Sequence, residues 1–465
     1  MSKLTPWIFF IALFLVFLLP PTDPDLGWQL RCGELFWRER SFCEHNQFTV
    51  LLENHSWPNH AWGYQAIIYP IWSAFGGYGL TIFNALLMTA AFAFLYLAIK
   101  NRTLEKMLAI LATIYFGWGV FSFGIRSQLL GFFFLNLTLY LLTKIEYKPK
   151  LMFLLPLVML VWANTHGSVI LGLILIGSTY LTTIVVKRER ILLLTAATAM
   201  SALVTLINPF GLRIYEEMWR HFSGPIDLSK LIAEWVPPQP HIQQIIVISG
   251  ALVFLFVLFK SFCNSELQFA LFAFLVPLFA FLALKARRNV PFHFVIISYS
   301  LLNSLKPKIS PLRDQLAGLL SVGVLLYGLL IQLPQTIEYD DCQRDVPCEA
   351  VEFLKEQDPP AGEASNIFNR YEWGGFLVWQ LPEYKIFVDD RMPAWVGPEN
   401  KSPYTIYLET LQTRPGWQET LDQHNITYIL ISPGTFMDLL LQPDPAKFGW
   451  EEVYRDKISV VYKRL

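Results

Sequence analysis

The chain has 465 residues, of which 54% are hydrophobic and 15% are aromatic. Its mean hydropathy of +0.40 is too high for a soluble protein of this length and is typical of a membrane protein. The formal net charge of −1 excludes a global basic field, so nucleic acid is not an expected partner. Any charge-based function must therefore come from the local placement of charged residues.

An apolar run over residues 7–19 opens the chain, behind Lys3. A secretory signal and an uncleaved first helix both fit this run, but the prolines and Asp23 that follow offer no cleavage site of small residues, which favours the helix. Further apolar runs raise the expected number of transmembrane helices to about eleven, with loose boundaries because a span needs about 20 residues. These runs cover residues 80–99, 107–123, 129–143, 151–163, 168–186, 191–207, 245–259, 269–284, 290–305 and 316–333.

Basic residues in the connecting loops predict the orientation, since cytoplasmic loops collect Lys and Arg. A cytoplasmic N-terminus puts the basic clusters on one side, provided that residues 151–186 form two spans. The clusters contain Lys100, Arg102, Lys106, Lys144, Lys148, Lys150, Lys187, Arg188, Arg190, Lys260, Lys306, Lys308 and Arg313. Loops 20–79 and 208–244 are then outside. We expect a transmembrane domain over residues 1–334 and an extracytoplasmic domain over 335–465.

Some basic residues are exceptions because they fall on the outer side, namely Arg126, Arg213, Lys285, Arg287 and Arg288. Snorkelling at a helix end, or a miscounted span, explains them without any function. The alternative is an anion site, since arginine grips a phosphate or pyrophosphate with two parallel hydrogen bonds. The four arginines are therefore candidate substrate-binding residues.

Two carboxylates, Asp23 and Asp25, directly follow the first span, and residues 26–40 then show the spacing of an amphipathic surface helix. Turn chemistry explains Asp23 beside a proline, and an N-cap role explains Asp25. A carboxylate at the membrane edge can also deprotonate an acceptor hydroxyl or hold a divalent metal. Asp25 is therefore the main catalytic candidate and a possible metal ligand, with Asp23 as its neighbour.

Other polar residues lie at the predicted outer ends of helices. Asn59, His60 and Trp62 belong to a Trp-rich stretch that is typical of an interfacial belt but also resembles a sugar-reading surface. His166 follows residues that fit a helix cap, and a histidine at membrane level is a site candidate. Glu234 is either a second acidic group of the catalytic site or an ordinary loop carboxylate.

From about residue 335 the composition turns polar, and alternating strand and helix patterns predict a small α/β domain. Asp389, Asp390 and Arg391 follow a predicted strand end, where α/β domains place ligands, although capping or docking also explains them. The predicted helices cover residues 347–357, 404–413 and 434–441, and the predicted strands cover 365–368, 385–388, 426–432 and 458–463.

Four of the five cysteines fall on the predicted outer side, namely Cys32, Cys43, Cys342 and Cys348. This distribution permits two disulfides in an oxidising compartment, although spacing alone does not prove them. The sequence has no CxxC, HExxH, Walker or GxGxxG signature. An ATPase, a zinc protease or a soluble dehydrogenase is therefore unsupported.

The segments DPDLGWQLRCGE, WPNHAW, WANTHGS, NPFGLRIY, AEWVPP and YEWGGFLVWQLPEYKIFVDDR resemble motifs of bacterial membrane proteins related to the GT-C glycosyltransferases. That superfamily includes glycosyltransferase family 39 and the RgtA/B/C/D-like proteins. The resemblance implies the GT-C fold, a polyprenyl-phosphate sugar donor at the outer leaflet, and an acidic first-loop residue as base or metal ligand. Asp25 matches that residue best, although Asp-Pro-Asp stands where the family usually has Asp-Glu.

The leading hypothesis is a membrane glycosyltransferase, of hexosyltransferase type, that moves a sugar from a polyprenyl-phosphate-linked donor to a glycan, lipid or protein acceptor. We expect it in the bacterial inner membrane, and a divalent metal is the cofactor to consider. A transporter or flippase of a lipid-linked or anionic substrate is the runner-up, although it should carry charged residues within its spans, where the sequence has almost none. A non-catalytic envelope scaffold is the third possibility.

Overall fold

The structure is a computed structural model, and it describes all residues except 1–3, 146–147, 187–190, 224–225, 265–266, 308–309, 341, 343–344, 358–364 and 398–399. Some basic residues used to predict the orientation lie outside the described residues, namely Lys3, Lys187, Arg188, Arg190 and Lys308. The chain folds into two compact units. The first, here the membrane unit, contains Met1–Pro21, Ile71–Ile214 and Ile232–Glu338. The second, here the sheet unit, contains Thr22–Pro70, Tyr215–Leu231 and Tyr339–Leu465.

The regular elements are numbered in chain order. The helices are α1 (Thr5–Val16), α2 (Leu26–Glu39), α3 (Trp62–Ala98), α4 (Thr103–Phe121), α5 (Ser127–Ile145), α6 (Leu154–Ala163), α7 (Val169–Val186), α8 (Ile191–Leu203), α9 (Arg213–Ser223), α10 (Pro240–Asn264), α11 (Leu267–Lys285), α12 (Val290–Ser304), α13 (Pro311–Tyr327), α14 (Leu333–Ile337), α15 (Cys348–Glu356), α16 (Gly374–Gln380), α17 (Pro403–Leu411), α18 (Trp417–Gln423) and α19 (Phe436–Leu441). The strands are β1 (Asn366–Asn369), β2 (Lys385–Ile386), β3 (Ile426–Ile431), β4 (Trp450–Arg455) and β5 (Val460–Arg464).

Apolar composition on all sides explains the helices of the membrane unit, since such helices are buried in protein or in lipid. Within the described residues, five helices are long and apolar enough to cross a membrane, namely Trp62–Ala98, Thr103–Phe121, Ser127–Ile145, Pro240–Ser261 and Pro311–Ile337. Shorter apolar helices cover Thr5–Val16, Pro149–Ala163, Val169–Ile184, Leu192–Leu206 and Leu271–Lys285. Each predicted apolar run overlaps a helix, but the count of about eleven spans stays a prediction.

Packing within the membrane unit joins helices that are distant in sequence. Helix α1 packs against α13, α12 packs against α4, and α10, α11 and α12 pack against one another. Residues 151–186 form the two separate helices α6 and α7, as the basic clusters predicted.

Helix α3 begins much earlier than the sequence predicted. The apolar run pointed to a helix from residue 80, whereas α3 begins at Trp62 and has 37 residues. Its geometry is broken at Gly76, where φ is 58° and ψ is −153°, a conformation that glycine adopts without the clash of a Cβ atom. The irregular part of the predicted outer loop 20–79 is therefore shorter than expected.

A five-stranded sheet with the order β2-β1-β3-β5-β4 forms the centre of the sheet unit. Strand β1 is parallel to both β2 and β3, while β5 is antiparallel to β3 and β4. Strands β1 and β3 are almost wholly buried, and β3 is mostly apolar, as expected for a strand covered on both faces. The small α/β fold predicted for the C-terminal region is confirmed.

The first outer loop belongs to the sheet unit, whereas the sequence assigned it to the transmembrane domain that was expected to end at residue 334. Thr49 forms a parallel bridge to Ile386 of β2, so the loop extends the sheet. Trp28, Phe48 and Trp57 of this loop share one hydrophobic core with the strands. Burial of these large apolar side chains explains why the loop folds with the C-terminal residues.

Three short elements of the sheet unit were not predicted, namely α16, α18 and β4. Helix α16 begins with two glycines and β4 carries an exposed charged pair, Glu451 and Glu452, so neither has a strong periodic pattern. The other predicted C-terminal elements are present, with ends shifted by at most two residues.

Candidate functional site

Close backbone contacts at three glycines bring the start of α2 and the end of β2 into one corner of the sheet unit. A Cβ atom on Gly27 of α2 would lie 1.9 Å from the carbonyl oxygen of Gly375 in α16. A Cβ atom on Gly375 would lie 2.1 Å from the carbonyl oxygen of Pro24, and one on Gly374 would lie 2.7 Å from the Cα atom of Asp389. Only glycine permits such approaches. These contacts assemble what we call the acidic corner, made of Asp23, Asp25, Asp389 and Asp390.

The side chain of Asn369 holds the segment that leads into Asp389. Its Oδ1 atom accepts hydrogen bonds from the backbone N–H groups of Phe387 (2.9 Å) and Val388 (3.2 Å), and its Nδ2 atom donates to the carbonyl oxygen of Val388 (2.9 Å). An amide side chain thus replaces the ladder of hydrogen bonds where β2 has already ended. The position of the two following aspartates is fixed as a result.

Asp25 occupies the N-cap position of α2, but its side chain does not cap the helix. The Oδ1 atom instead accepts a hydrogen bond from the indole Nε1 of Trp28, at 3.0 Å. The capping role that explained this residue from sequence is therefore not what its carboxylate does. Asp23 is buried, and its carbonyl oxygen accepts from the N–H of Leu26, which is the turn expected beside a proline.

Asp389 and Arg391 form a buried ion pair. The Nε atom of Arg391 lies 3.0 and 3.1 Å from the two carboxylate oxygens of Asp389, and Nη2 also donates to Oδ2. Four aromatic rings surround the guanidinium, with distances of 4.9 to 5.8 Å from its Cζ atom to the ring centroids. The rings belong to Trp28, Phe48, Trp57 and Trp395. Asp389 is thus held in a structural ion pair with Arg391.

Asp390 is in a very different environment from its neighbour. Burial, and then the negative charges of Asp25, Asp389 and Asp23, raise the pKa of the Asp390 carboxyl well above its usual range. Within the described part of the chain, its buried Oδ2 atom has no hydrogen-bond partner. Burial, followed by the charges of Asp390 and Asp25, also raises the pKa of the Tyr371 phenol. The corner therefore combines an accumulation of negative charge with groups that keep their protons.

The acidic corner bears on the metal-binding role predicted for Asp25. Among the residues that the structure describes, no group of three or more His, Cys, Asp and Glu side chains is arranged to hold a metal. Magnesium, however, is often held by only one or two carboxylates together with a substrate phosphate. The metal-binding role predicted for Asp25 therefore remains a prediction.

The Trp-rich stretch of the first loop lies in the sheet unit and is mostly structural. Asn59 is fully buried, where its Nδ2 atom donates to Gln65 Oε1 (2.7 Å) and to the carbonyl oxygen of Phe42 (2.9 Å). Trp62 is half-buried and packs against Phe36 and Phe42, with ring centroids 5.4 and 5.2 Å away. Because the Asn59 amide is hydrogen-bonded inside the core, it is not accessible to a sugar. We therefore do not include Asn59 in the proposed substrate site.

His60 lies next to this stretch in the turn that leads into α3, and its backbone N–H donates to the carbonyl oxygen of Pro58. It is partly exposed. Its predicted role in substrate binding remains a prediction.

Three of the four predicted outer arginines, namely Arg126, Arg287 and Arg288, lie around Glu234. Arg126 forms an ion pair with Glu234, and both side chains are largely buried, at 13% and 16% exposure. The guanidinium of Arg288 lies 5.1 Å from the ring of Trp235. The backbone carbonyl oxygen of Arg288 accepts a hydrogen bond from the side-chain Nε2 of Gln128. The structure thus brings residues from two distant segments together, as the sequence predicted for the arginines. We call this the arginine corner, made of Arg126, Glu234, Arg287 and Arg288.

Electrostatics assigns Glu234 a different role from the one predicted. Burial alone would raise the pKa of the Glu234 carboxyl, but the charges of Arg126, Arg288 and Arg287 outweigh it and lower the pKa. A carboxylate held in its charged form by arginines is a weak proton acceptor. Glu234 is therefore better described as the anchor of the arginines than as a catalytic group.

Next to this corner lies a cavity of about 980 Å³ whose walls are mostly apolar. Arg287 lines it together with His241 and Gln239, and the remaining walls come from α1, α4, α10, α12 and α13. Two lining residues, Gly119 and Gly323, have no atom within 4 Å of an added Cβ. A long apolar space that carries one arginine suits a lipid with an anionic headgroup.

The remaining candidates of the membrane unit lie in other local environments. His166 is buried in the turn between α6 and α7, where its Nδ1 atom accepts from the backbone N–H of Ser168 (3.1 Å). Arg213 is exposed at the start of α9, and the Lys285 ammonium lies over the ring of Phe281 at 5.6 Å. The substrate-binding roles predicted for His166 and Arg213 remain predictions.

Two disulfides lie in the sheet unit. Cys32 pairs with Cys43, and Cys342 pairs with Cys348, with Cα–Cα distances of 5.5 and 5.6 Å. The first ties the middle of α2 to the segment before Trp57. Both pairs are the ones that the distribution of cysteines permitted.

Sequence reasoning missed several residues of these corners. Trp28 was passed over, although its position three residues after Asp25 places both on one helix face. Gly27 and the pair Gly374–Gly375 were signals of close backbone approach inside helices. His241 and Gln239 gave no signal, because only the fold brings them to Arg287.

The apolar helices and the appended sheet unit define a polytopic helical membrane protein with a small α/β unit. Its fold matches that of the archaeal oligosaccharyltransferase AglB from Archaeoglobus fulgidus, solved with an inhibitory peptide and a dolichol-phosphate. The TM-score is 0.59 at 11% sequence identity, over 92% of this chain and 69% of that chain. The apo form of the Archaeoglobus fulgidus oligosaccharyltransferase gives a TM-score of 0.61 at 12% identity, with the same coverage.

A second kind of neighbour is ArnT from Cupriavidus metallidurans, solved with undecaprenyl phosphate. It matches with a TM-score of 0.55 at 12% identity, over 100% of this chain and 97% of that chain. No protein-family model and no curated protein sequence matches the chain. The likeness to these solved structures confirms the fold expected from the sequence, a polytopic helical membrane protein with a small α/β unit.

Proposed function

We propose that the protein is a membrane glycosyltransferase that transfers a sugar from a polyprenyl-phosphate-linked donor to an acceptor hydroxyl on the extracytoplasmic side. The observation that carries this proposal is the apolar cavity of the membrane unit with Arg287 in its wall. Such a cavity suits a long isoprenoid chain, and arginine suits its phosphate. Neighbours of the same fold were solved with dolichol-phosphate and undecaprenyl phosphate, which supports this class of lipid.

The arginine corner explains why an anion is favoured at this place. Three arginines act on one carboxylate, Glu234, so the corner keeps a positive charge after the Arg126–Glu234 pair has formed. Arg287 lies at the cavity wall, and His241 and Gln239 provide further hydrogen-bonding groups there. We assign the donor phosphate to Arg287, with Arg126 and Arg288 supporting the local field.

Asp25 of the sheet unit is the proposed general base. Its carboxylate accepts a hydrogen bond from Trp28 and is left out of the Asp389–Arg391 pair, so it can accept a proton from an acceptor hydroxyl. The hydroxyl oxygen then forms a bond to the anomeric carbon as the bond from that carbon to the phosphate oxygen breaks. The electron pair leaves with the phosphate, which gains a second negative charge.

The two disulfides support an extracytoplasmic sheet unit, because disulfides persist in oxidising compartments. The basic loops predict the same orientation, with the N-terminus in the cytoplasm. We propose that the protein lies in a bacterial inner membrane. The acceptor is a glycan, lipid or protein that reaches the outer face.

A transfer assay tests the proposal. The full-length protein in proteoliposomes is given a panel of labelled polyprenyl-phosphate hexoses and an envelope extract, and label in the extract is counted. We expect transfer by the wild type and a loss of about 10²- to 10⁴-fold in Asp25→Asn, the usual contribution of a general base. Glu39→Gln, an exposed change at the end of the same helix, should transfer normally.

Wild-type transfer rates in Asp25→Asn would rule out Asp25 as the base. Transfer from a nucleotide sugar, with no use of any lipid-phosphate donor by the wild type, would contradict the proposed donor class.

A further inference from the structure

The carboxylate of Asp25 is held by one identified donor on its own helix. The indole Nε1 of Trp28 donates to Asp25 Oδ1 at 3.0 Å, while the side chain of Asp25 makes no capping bond to the backbone of α2. A donor three residues along the helix reaches the carboxylate from one fixed direction. The orientation of the Trp28 ring therefore contributes to the orientation of this carboxylate.

Trp28 is itself fixed by its surroundings in the sheet unit. Its side chain is 6% exposed, and its ring meets that of Trp57 edge-on at 5.9 Å between centroids. The guanidinium of Arg391 lies 5.6 Å from the Trp28 ring, at a distance typical of a cation–π contact. The indole has no room to turn without displacing a buried charge.

Arg391 connects this ring to the end of β2. Its guanidinium pairs with Asp389, which is wholly buried, and its Nη2 atom donates to Asn46 Oδ1 at 3.2 Å. The backbone N–H of Arg391 also donates to Asp389 Oδ1, at 3.0 Å. A series of contacts thus runs from the sheet, through Arg391 and Trp28, to Asp25.

We propose that Trp28 is a positioning residue that holds the Asp25 carboxylate in its reactive orientation through the indole N–H, and that the Asp389–Arg391 pair anchors Trp28. This inference rests on the proposed role of Asp25 as base. It gives Trp28 and the Asp389–Arg391 pair a function in catalysis that the transfer reaction alone does not require. A carboxylate with one fixed rotamer reaches the acceptor proton without reordering in the transition state.

Two tryptophans of the same cluster provide a matched test. Trp28→Phe removes the N–H that reaches Asp25 and keeps an aromatic ring in place. Trp57→Phe makes the same change at a ring that is also buried beside Arg391, but whose Nε1 atom has no hydrogen-bond partner in the described part of the chain. Both variants leave a similar small space, so any purely structural effect should be shared.

Steady-state transfer and thermal unfolding are measured on both variants in the full-length protein. We expect kcat to fall about tenfold or more in Trp28→Phe with KM unchanged, since a hydrogen bond to a charged group is lost. Trp57→Phe should keep kcat within about threefold of the wild type. The fall in Tm should be the same in both variants, since both lose similar packing. Equal kcat values in the two variants, or a change confined to KM, would overturn the inference.

The indole signals of ¹⁵N-tryptophan-labelled protein give a readout that does not depend on turnover. The Trp28 N–H resonance, assigned by its loss in Trp28→Phe, should move upfield in Asp25→Ala, whereas that of Trp57 should stay in place. A Trp28 N–H chemical shift that is unchanged in Asp25→Ala would also overturn the inference. If Asp25→Asn keeps full transfer activity, the proposed base is wrong; if Asp25→Asn is inactive and Trp28→Phe is normal, only the positioning role is wrong.

Discussion

The two units each contain a buried arginine–carboxylate pair, but the charge that surrounds the pair has opposite sign. In the membrane unit, Glu234 is held by Arg126 among further arginines. In the sheet unit, Arg391 is held by Asp389 among further carboxylates. One pair therefore leaves a positive corner suited to a phosphate, and the other leaves a negative corner suited to a base. A buried ion pair alone thus says little about function; the charge of the residues that surround the pair says more.

The largest effect that we expect contrasts the two adjacent aspartates of the sheet unit. Asp389→Asn should lower stability by about 3–5 kcal/mol, because it leaves the buried Arg391 without its counterion. Asp390→Asn should instead raise stability at neutral pH by on the order of 1 kcal/mol, because burial and neighbouring carboxylates raise the pKa of Asp390. Thermal unfolding of the purified variants measures both.

The sign of the Asp390 effect also depends on pH. A carboxyl whose pKa is raised in the folded state destabilises the fold as pH rises above the unfolded value of about 4. The advantage of Asp390→Asn should therefore vanish at and below about pH 4. An Asp390→Asn variant that is less stable than the wild type at pH 7 would show that the corner is not a site of unfavourable negative charge.

Charge reversal at the cavity tests the opposite corner. Arg287→Glu should weaken binding of polyprenyl phosphate by about 100-fold, since it removes a charge-assisted contact and adds repulsion. Lys285→Glu changes the net charge equally, but Lys285 is not among the cavity-lining residues and should bind almost as the wild type does. Native mass spectrometry of the full-length protein with added lipid compares them. Equal losses would mean that the general field, and not Arg287, attracts the phosphate.

Removing the carboxylate of the arginine corner sharpens the comparison further. Glu234→Gln should lower stability by about 1.5–3 kcal/mol, the usual worth of a hydrogen bond to a charged group. Burial raises the pKa of the Glu234 carboxyl, but the charges of the arginines outweigh burial and lower it. The stabilisation by Glu234 is therefore fully present above the unfolded pKa of about 4.3 and is lost as the pH falls through the pKa of the folded state. Thermal unfolding between pH 4 and 7 checks this, with the exposed Glu338→Gln as control. A Glu234→Gln difference that grows with acid would contradict the lowered pKa.

The smallest expected effect concerns the apolar part of the cavity. Gly323→Leu places a side chain in the cavity and should weaken binding of a long polyprenyl phosphate about tenfold, with less effect on a short-chain analogue. Gly318→Leu is the matched control, because Gly318 lies on the same helix α13, has free space around its Cα atom and does not line the cavity. Lipid titrations by native mass spectrometry distinguish them. Equal binding by both variants would place the lipid elsewhere.

Much of the fold could be predicted from sequence because apolar runs and basic loops are local signals. The helices α6 and α7 and the strands β1, β3 and β5 were predicted on this basis. The start of α3 at Trp62 was missed, because polar and aromatic residues before Gly76 do not form an apolar run. The inclusion of the first loop in the sheet unit was missed because strand addition through Thr49 is a long-range contact.

The candidate site was predicted only in its charged residues. Asp25 was selected because it directly follows the first span, and Arg126, Arg287 and Arg288 because they fall on the outer side, against the usual placement of basic residues. The partners of those residues were not visible, since Glu234 is more than a hundred residues from Arg126 and Arg391 is far from Trp28. Tertiary contacts decide which charged side chain enters an ion pair. Asp389 pairs with Arg391, whereas the adjacent Asp390 has a raised pKa.

Conversion of the donor phosphate tests the central claim most directly, because it requires no knowledge of the sugar or the acceptor. Polyprenyl-phosphate hexoses are incubated with the full-length protein and envelope extract, and ³¹P NMR follows the phosphodiester. The account predicts that a phosphomonoester signal grows with the wild type and stays at background with Asp25→Asn. A phosphodiester that is left intact by the wild type across the panel, or consumed equally by Asp25→Asn, would contradict it.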